Sequence, residues 1–375
     1  MTIGIDARMY RKSSAGIGRY IRNLIKNLLE IDFDNQYVLF MTKADASEIR
    51  NEKCDMRNAK IVEVDIPHYS LPEQTKLAPI IARENLDLMH FTNFNYPIRY
   101  KGKFITTIHD LTLFFFPETA RQTNILKQWG YKIIMKNACQ NSIKIIAVSQ
   151  STKKDILKTF HLNPKKIQVI YEAADDKVFQ KPILQRIDEL RKKYRLLPNI
   201  ILSVGQWRPH KNLLGLVRAF EILSPKIPVS LVILGQEDPQ YLELQRAIDK
   251  SPYKRDIIRP GFVEDEELAV WYLLSSVFVF PSFYEGFGLP GLEAMQVGTP
   301  VVASKAGSLP EIFSDAAGYF DPHNPQEMAQ KILKILTNDK IKAELIRQGF
   351  KVAKKYSWRK TAEETLNIYK KAFSG

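Results

Sequence analysis

Short apolar strands and helical stretches alternate twice along this chain, once before and once after a polar segment at residues 172–190. Strands separated by helices of this length predict a parallel sheet that is covered on both faces. In the first half the strands lie at residues 3–5, 37–41, 61–64, 88–91, 104–108 and 143–148, and in the second at 200–204, 229–234, 257–258, 277–280 and 301–303. The pattern predicts an α/β protein of two facing, Rossmann-like, doubly wound domains.

The length of the chain agrees with two domains. A chain of 375 residues is long for one hydrophobic core, and 45% apolar residues are enough to fill two. We place the boundary in the polar segment, so that residues 1–180 and 181–357 form the two domains. Residues 358–375 form a separate, lysine-rich helical segment at the end.

Two glutamates, Glu285 and Glu293, stand eight residues apart around a glycine-containing loop. An apolar strand precedes the loop, and a helical pattern from Pro290 to Gly298 follows it. The first N–H groups of a helix have no partner within it, so a phosphate can be held there without a cationic side chain. Either glutamate alone would be explained as a solvated carboxylate or a helix-dipole partner, but the pair with EGFGLP between favours a binding site.

The segment at residues 281–304, PSFYEGFGLPGLEAMQVGTPVVAS, resembles the signature of glycosyltransferase family 4, the retaining nucleotide-sugar enzymes of the GT-B fold. The resemblance covers most of the chain and is strongest at residues 201–321. It implies that Glu285 lies beside the donor sugar, that Glu293 binds the ribose, and that the last helix returns to the first domain. It also implies that the loop between the two glutamates binds the donor, through Gly286, Phe287, Gly288 and Leu289.

Arg208 and Lys211 follow the strand at residues 200–204 and lead into a helix. By resemblance they are the pair that binds the donor diphosphate. Cations near the leaving oxygens stabilise the charge of a departing diphosphate without a covalent step. A solvated loop is the alternative, and the position at the end of a strand disfavours it.

The resemblance also suggests a substrate. The segments GIGRY, HDL and QWRPHKN look most like mannosyltransferases that assemble surface polysaccharides, so GDP-mannose is the expected donor and a glycan or a lipid-linked sugar is the expected acceptor. The nucleotide base is expected near Val263.

Two residues of the first domain are further candidates. Gly16 lies in a glycine loop that, by resemblance, approaches the donor phosphate, although a plain tight turn explains it as well. His109 follows the strand at residues 104–108, where sheet ligands collect, and by resemblance contacts the donor sugar or the acceptor. Ser149 ends another strand, either near this site or as a helix N-cap.

Neither a cofactor nor an essential metal is expected. The only Asp-x-Asp pattern, Asp32 to Asp34, lies between a helix and a strand, as a turn would. Arg208, Lys211 and backbone N–H groups are expected to meet the diphosphate charge instead.

The net charge of +14 suggests an acidic partner without identifying it, and residues 121–166 hold ten Lys or Arg against Asp155 alone. Within them, Ile125 to Met135 carries apolar residues near helical spacing beside Lys132 and Lys136, as a helix on an anionic membrane surface would. An ordinary helix with solvated lysines is the open alternative. No zinc-finger spacing, RNP-like sequence or glycine clamp supports nucleic-acid binding.

The sequence predicts a cytosolic protein. No run of about 18 apolar residues occurs, and the amino terminus leads directly into a strand instead of a signal sequence. The two cysteines, Cys54 and Cys139, have no metal-ligand spacing, which fits a reducing compartment.

Two other functions remain open. A nucleotide-sugar epimerase or phosphorylase on the same scaffold would differ in not transferring the sugar to a second sugar or lipid. A non-catalytic basic module for membranes or nucleic acid would need none of Glu285, Glu293, Arg208 and Lys211, so their presence argues against it.

Overall fold

The computed structural model describes residues 1–11, 14–51, 56–119, 125–175, 184–239 and 241–374. The chain divides into two compact units, the first formed by Met1–Glu172 with Ser357–Gly375 and the second by Ala173–Tyr356. The boundary placed between residues 180 and 181 lies outside the described residues, and so does Cys54.

Unit 1 is built on a parallel sheet. Its strands are β1 (Thr2–Asp6), β2 (Gln36–Met41), β3 (Ala59–Glu63), β4 (Leu88–Phe91), β5 (Phe104–Ile108), β6 (Lys144–Ala147) and β7 (Ile167–Val169). They pair in the order β3-β2-β1-β4-β5-β6-β7. Its first helices are α1 (Ala15–Ile31), α2 (Lys43–Asn51), α3 (Leu71–Ala82), α4 (Thr112–Phe115), α5 (Ile125–Asn141) and α6 (Gln150–Phe160). β5 is buried along its whole length, as expected for a strand with helices on both faces.

Unit 2 repeats this architecture. Its strands are β8 (Asn199–Val204), β9 (Val229–Leu234), β10 (Ile257–Gly261), β11 (Val277–Phe280), β12 (Val301–Ser304) and β13 (Ala317–Phe320), in the parallel order β10-β9-β8-β11-β12-β13. Its helices are α7 (Leu184–Tyr194), α8 (Leu213–Leu223), α9 (Leu242–Lys250), α10 (Asp265–Leu274), α11 (Leu289–Gln296), α12 (Leu309–Phe313), α13 (Pro325–Thr337) and α14 (Asp339–Ala353). The predicted α/β class with Rossmann-like sheets is confirmed.

The last helix, α15 (Trp358–Ser374), packs in unit 1 against α1. The hydroxyl of Thr361 donates to the carbonyl of Tyr171 at 2.7 Å. The hydroxyl of Tyr369 lies 2.7 Å from Nδ1 of His90, whose Nε2 lies 2.8 Å from the hydroxyl of Thr107. Burial lowers the pKa of His90 to about 3, so this ring is neutral and joins α15 to β4 and β5 through hydroxyl partners.

The structure corrects two local predictions and refines a third. Gly16, which the sequence placed in a glycine loop at about the start of a helix, lies in the first turn of α1, which begins at Ala15. Part of the segment expected to be a linker, residues 172–190, belongs to α7, which begins at Leu184. The strands β7 and β13 were missed because each is a short edge strand with partly exposed residues, which interrupt the apolar run that indicates a buried strand.

Two polar segments have local structural roles. Ser149 is the N-cap of α6 and accepts a hydrogen bond from the N–H of Thr152 at 3.0 Å, so the capping alternative explains it. Asp32 lies between α1 and β2, where its carboxylate accepts hydrogen bonds from Asp34 N–H and from the Asn35 side chain.

Candidate functional site

The strand order of the second sheet reverses between β8 and β11. These strands are neighbours, but the chain continues from β8 to β9 on one side and from β11 to β12 on the other. Such a reversal opens a crevice at the carboxyl ends of the strands, where open α/β sheets bind ligands. Arg208 and Lys211 follow β8, and Glu285 follows β11, so both loops border this point.

Lys211 and Glu285 form an ion pair between these two loops. Nζ of Lys211 lies 2.7 Å from Oε1 and 3.0 Å from Oε2 of Glu285. The hydroxyl of Ser282 donates to Oε1 at 2.6 Å. The side chains of Lys211 and Glu285 are 24% and 11% exposed, so the pair is accessible to a ligand but only partly hydrated. The fold thus brings together a predicted cation and a predicted carboxylate.

The cation loop carries two positive charges. Arg208 precedes a single 3-10 turn, Pro209–Lys211, and is half-buried. His210 between the two cations is buried. Burial, and then the charges of Lys211 and Arg208, lower the pKa of His210 to about 2, so this imidazole remains neutral. The charge that the loop offers to an anion therefore comes from Arg208 and Lys211.

Asn212 connects three loops beside Lys211. It ends the 3-10 turn and begins α8 in a left-handed conformation, with φ of 52°. Its side-chain amide donates to the carbonyl of Pro281 at 3.0 Å and to that of Pro322 at 2.8 Å. The loops that follow β8, β11 and β13 are therefore held together where the ion pair forms.

The two glutamates of the pair lie in different environments. Glu293 lies within α11, is 2% exposed, and accepts a hydrogen bond from the hydroxyl of Tyr272 at 2.7 Å. Glu285, on the loop before α11, is partly exposed and bound to a cation. One carboxylate is therefore available to a ligand as the structure stands, and the other is held in the protein interior.

The loop between the glutamates is buried at each of its predicted donor-binding positions, which are Gly286, Phe287, Gly288 and Leu289. Gly288 has φ of 120°, a conformation that side-chain-bearing residues rarely adopt, and α11 begins directly after it. Since the side chains of Phe287 and Leu289 are packed inside, this loop offers mainly its backbone to a ligand.

Val263 lies apart from the ion pair in the second sheet. It follows β10, which is separated from β8 by β9. Val263 itself is half-buried, and its neighbour Phe262 is 57% exposed. Its expected contact with the nucleotide base stays a prediction.

Gly16 and His109 belong to unit 1. Gly16 lies exposed in the first turn of α1, with no atom within 4 Å of the place that a Cβ would occupy. His109 follows β5, and both of its ring nitrogens are engaged. Nδ1 lies 2.9 Å from Oε1 of Glu172, and Nε2 lies 3.0 Å from the carbonyl oxygen of Thr92.

These partners determine the charge of His109. A carbonyl oxygen only accepts, so Nε2 carries a proton, and the carboxylate of Glu172 favours a second proton on Nδ1. Burial lowers the pKa of His109, but the hydrogen bond and the charge of Glu172 outweigh it, and the pKa is raised. The pairing with Glu172 therefore stabilises the protonated form of the ring.

Sequence reasoning missed three residues of this site. Ser282 and Asn212 stand close in sequence to residues that were predicted. Their polar side chains, Ser282 just after a strand and Asn212 just before a helix, were a usable signal. Tyr272 lies on a different helix from Glu293 and gave no signal.

In the part of the chain that the structure describes, no group of three or more His, Cys, Asp or Glu side chains is placed to hold a metal ion. None of the helices described combines the length and apolar composition that crossing a membrane requires.

Comparisons with known proteins give two family matches and several similar proteins. Residues 14–178 match the family described as Glycosyltransferase Family 4, and residues 186–352 match Glycosyl transferases group 1. O-antigen chain mannosyltransferase B of Escherichia coli is 28% identical over 95% of this chain and 96% of its own length. The serotype-specific mannosyltransferase WbdA of Escherichia coli is 31% identical, over 58% of this chain but only 27% of WbdA. Sucrose-phosphate synthase from Thermosynechococcus elongatus, a solved structure, is 19% identical and has a TM-score of 0.81 over 100% of this chain and 99% of that chain, which supports the GT-B fold.

Proposed function

Because this chain belongs to the glycosyltransferases of group 1 and family 4, we propose that it transfers a hexose from a nucleotide diphosphate-sugar to a glycan or a lipid-linked acceptor. The transfer is proposed to retain the configuration of the sugar. The observation that carries the proposal is the ion pair of Lys211 with Glu285 at the strand reversal of the second sheet.

Each residue of this site has a proposed role. Arg208 and Lys211 bind the diphosphate and stabilise the charge that it gains as the glycosidic bond breaks. Glu285, which already holds Lys211, lies beside the sugar, and Glu293 binds the ribose hydroxyls. For that contact Glu293 would exchange or share its hydrogen bond with Tyr272.

The diphosphate charge is proposed to be met without a metal ion. The start of α11 directly follows the loop of Gly286 and Gly288, and the first N–H groups of a helix attract anions. Together with Arg208 and Lys211 they supply positive potential on one side of the diphosphate. No cofactor is proposed besides the donor itself.

Gly16 and His109 of unit 1 are proposed to contact the substrates, and for His109 this requires that it give up an existing hydrogen bond. Gly16 is exposed at the start of α1, where backbone N–H groups are also found, so it remains a candidate for phosphate contact. His109 has partners on both nitrogens, so hydrogen bonding to a sugar would replace its bond to Thr92 or to Glu172.

Mannose is the proposed sugar, and GDP-mannose the proposed donor. Both Escherichia coli relatives are named mannosyltransferases, and one acts on the O-antigen chain according to its name. Assembly of a surface polysaccharide is accordingly the proposed process.

An anionic membrane surface is the proposed location of the enzyme, on its cytosolic side. Trp129 and Ile133, one helical turn apart on α5, are 65% and 49% exposed, while Met135 on the same helix is buried. Lys127 and Lys136 are exposed beside them. Large apolar side chains bordered by lysines suit the boundary between lipid headgroups and acyl chains, where a lipid-linked acceptor would be met.

A ligand panel tests the proposed function. We expect one of GDP, UDP, ADP and dTDP to raise the melting temperature most, because a ligand that binds only the folded state stabilises it. The matching nucleotide-sugar should then be consumed only when an acceptor sugar or lipid is present, which separates transfer from epimerase or phosphorylase activity. Glu285→Gln is the matched control, expected to bind the nucleotide without turnover. If none of the four nucleotides changes the melting temperature, the proposed donor class is wrong.

A further inference from the structure

The last residue of β12 and the loop that follows it, together residues 304–308, contact the loop that carries Glu285. The hydroxyl of Ser304 donates to the carbonyl of Ser282 at 2.6 Å. The hydroxyl of Ser308 donates to the carbonyl of Phe287 at 2.8 Å and to that of Glu285 at 3.1 Å. Both serines are fully buried. The two hydroxyls therefore reach carbonyls before, at and after Glu285.

The backbones of the two loops also touch. The N–H of Ser308 donates to the carbonyl of Glu285 at 3.1 Å. Gly307 has φ of 54°, and a Cβ at this position would lie 2.4 Å from the carbonyl oxygen of Glu285. A side chain at position 307 would therefore push Glu285 away, so glycine is required for this close approach.

The hydroxyl of Ser308 does not cap the helix that follows it. Ser308 is the residue before α12, and a serine there usually accepts a hydrogen bond from an N–H of the first helical turn. Here it makes no such cap, and its hydroxyl is directed to Glu285 and Phe287 instead. The interaction stabilises the neighbouring loop and not the helix that Ser308 begins.

We propose that Ser308 is a positioning residue for Glu285, an inference that rests on the proposed function. By holding the carbonyls of Glu285 and Phe287, it fixes the peptide planes on the carboxyl side of Glu285. The carboxylate is thereby kept within 3.0 Å of Nζ of Lys211, the distance that the structure shows. A group that must meet a transition state loses rate when it is displaced by as little as 1 Å.

Ser308→Ala tests this inference, with Ser224→Ala as the matched control. Ser224 directly follows α8, and its hydroxyl donates a hydrogen bond to the backbone carbonyl of Phe220 at 2.9 Å. We expect Ser308→Ala to lower kcat about tenfold with the donor KM changed less than about twofold, because the lost interaction acts in the transition state. Ser224→Ala should keep kcat. In the Glu285→Gln background, Ser308→Ala should cause no further loss, since it acts through Glu285.

Two outcomes would overturn the inference. One is a double variant whose loss of kcat is the product of the losses of Ser308→Ala and Glu285→Gln. The other is a kcat of Ser308→Ala equal to that of Ser224→Ala. A crystal structure of Ser308→Ala gives a readout that needs no activity. There we expect the Lys211–Glu285 contact to lengthen beyond hydrogen-bonding distance, and an unchanged contact refutes the inference. If the wild type transfers no sugar, the proposed function fails, and this structural comparison still decides the role of Ser308. Ser304→Ala, expected to show the same changes more weakly, replaces Ser308→Ala if that variant does not fold.

Discussion

Lys211 and Glu285 neutralise each other in the structure, and this pairing determines what each substitution should do. A diphosphate that binds Lys211 must share it with Glu285 or displace the carboxylate. Removing the carboxylate therefore frees a cation for the phosphates, while removing the lysine leaves a negative charge beside them. The two substitutions should have opposite effects on nucleotide affinity although they break the same ion pair.

For Glu285→Gln and Glu293→Gln we expect folded proteins with reduced activity. Glu285→Gln should lower turnover about a hundredfold, or on the order of 3 kcal/mol in the activation barrier, because a charged interaction with the sugar is lost. Affinity for the nucleoside diphosphate should be kept or increased. Glu293→Gln should also weaken donor binding. Steady-state kinetics and calorimetry measure both effects, and a near-normal rate in either folded variant would remove that residue from the site.

Arg208→Ala and Lys211→Ala should weaken the binding of the nucleoside diphosphate more than that of the nucleoside. A hydrogen bond to a charged group contributes about 1.5–3 kcal/mol, which corresponds to a roughly 10-fold to 150-fold loss of affinity. The nucleoside serves as the internal control because it lacks the phosphates. Equal losses for both ligands would show that the substitutions act on the fold.

The His109–Glu172 pair should make stability depend on pH. The pKa of His109 is raised in the folded state, so the pair stabilises the protein fully below the unfolded value of about 6.5 and loses this contribution as the pH rises through the folded pKa. The free energy of unfolding of the wild type should therefore fall more between pH 6 and pH 9 than that of His109→Gln. Denaturant titrations at the two pH values measure it, and identical pH dependence would contradict a charged His109.

At the scale of secondary structure elements, α5 is the helix whose role the sequence left open. Ile134 packs against the hydrophobic core, whereas Trp129 and Ile133 are exposed, so the apolar residues are divided between two faces. Lys132 lies over the ring of Phe114, with Nζ 5.5 Å from the ring centroid. The side chains of Ile125 and Leu126 lie outside the described residues. Both an ordinary surface helix and a helix on a membrane surface fit this arrangement, and vesicle binding decides between them.

We expect the protein to cosediment with anionic vesicles at low salt and to be released at high salt, because exposed charges are screened beyond about 8 Å at physiological ionic strength. Replacing Lys127, Lys132 and Lys136 with Glu should abolish binding and leave activity on a soluble acceptor unchanged. The matched control carries the same charge change on α14 and just after it, at Lys340, Lys351 and Lys354, and should still bind. Wild-type protein that ignores vesicles at low salt would indicate a soluble glycan acceptor.

At the scale of the whole molecule, the charge of the donor must be balanced by the chain itself if no metal is used. We expect full activity after treatment with EDTA, because Arg208, Lys211 and the amino end of α11 supply the positive potential. Turnover before and after chelation, with added Mg²⁺ or Mn²⁺ as the control, measures this. A strict requirement for either ion would contradict the metal-free proposal.

The sequence predicted the sheets well, because nearly every strand of a doubly wound sheet carries a continuous apolar run. It failed at β7 and β13, two edge strands whose partly exposed residues interrupt the apolar run. The site residues Arg208, Lys211, Glu285 and Glu293 came from local motifs beside strand ends. The contacts of Glu285 with Ser282 and of Glu293 with Tyr272 could not be predicted from local motifs, since hydrogen-bond partners depend on how the elements pack.

The sequence by itself determined the fold class, the family and the segments on which the candidate site residues lie, because apolar periodicity and glycine-containing motifs are local properties. Only the tertiary structure decided that Lys211 pairs with Glu285, that Glu293 is buried against Tyr272, and that His109 pairs with Glu172. It also decided that Ser308 supports the backbone of Glu285 from the loop after β12. Such contacts join residues from separate loops and strands, and their distances are set by the packing of the sheet, which no local pattern encodes.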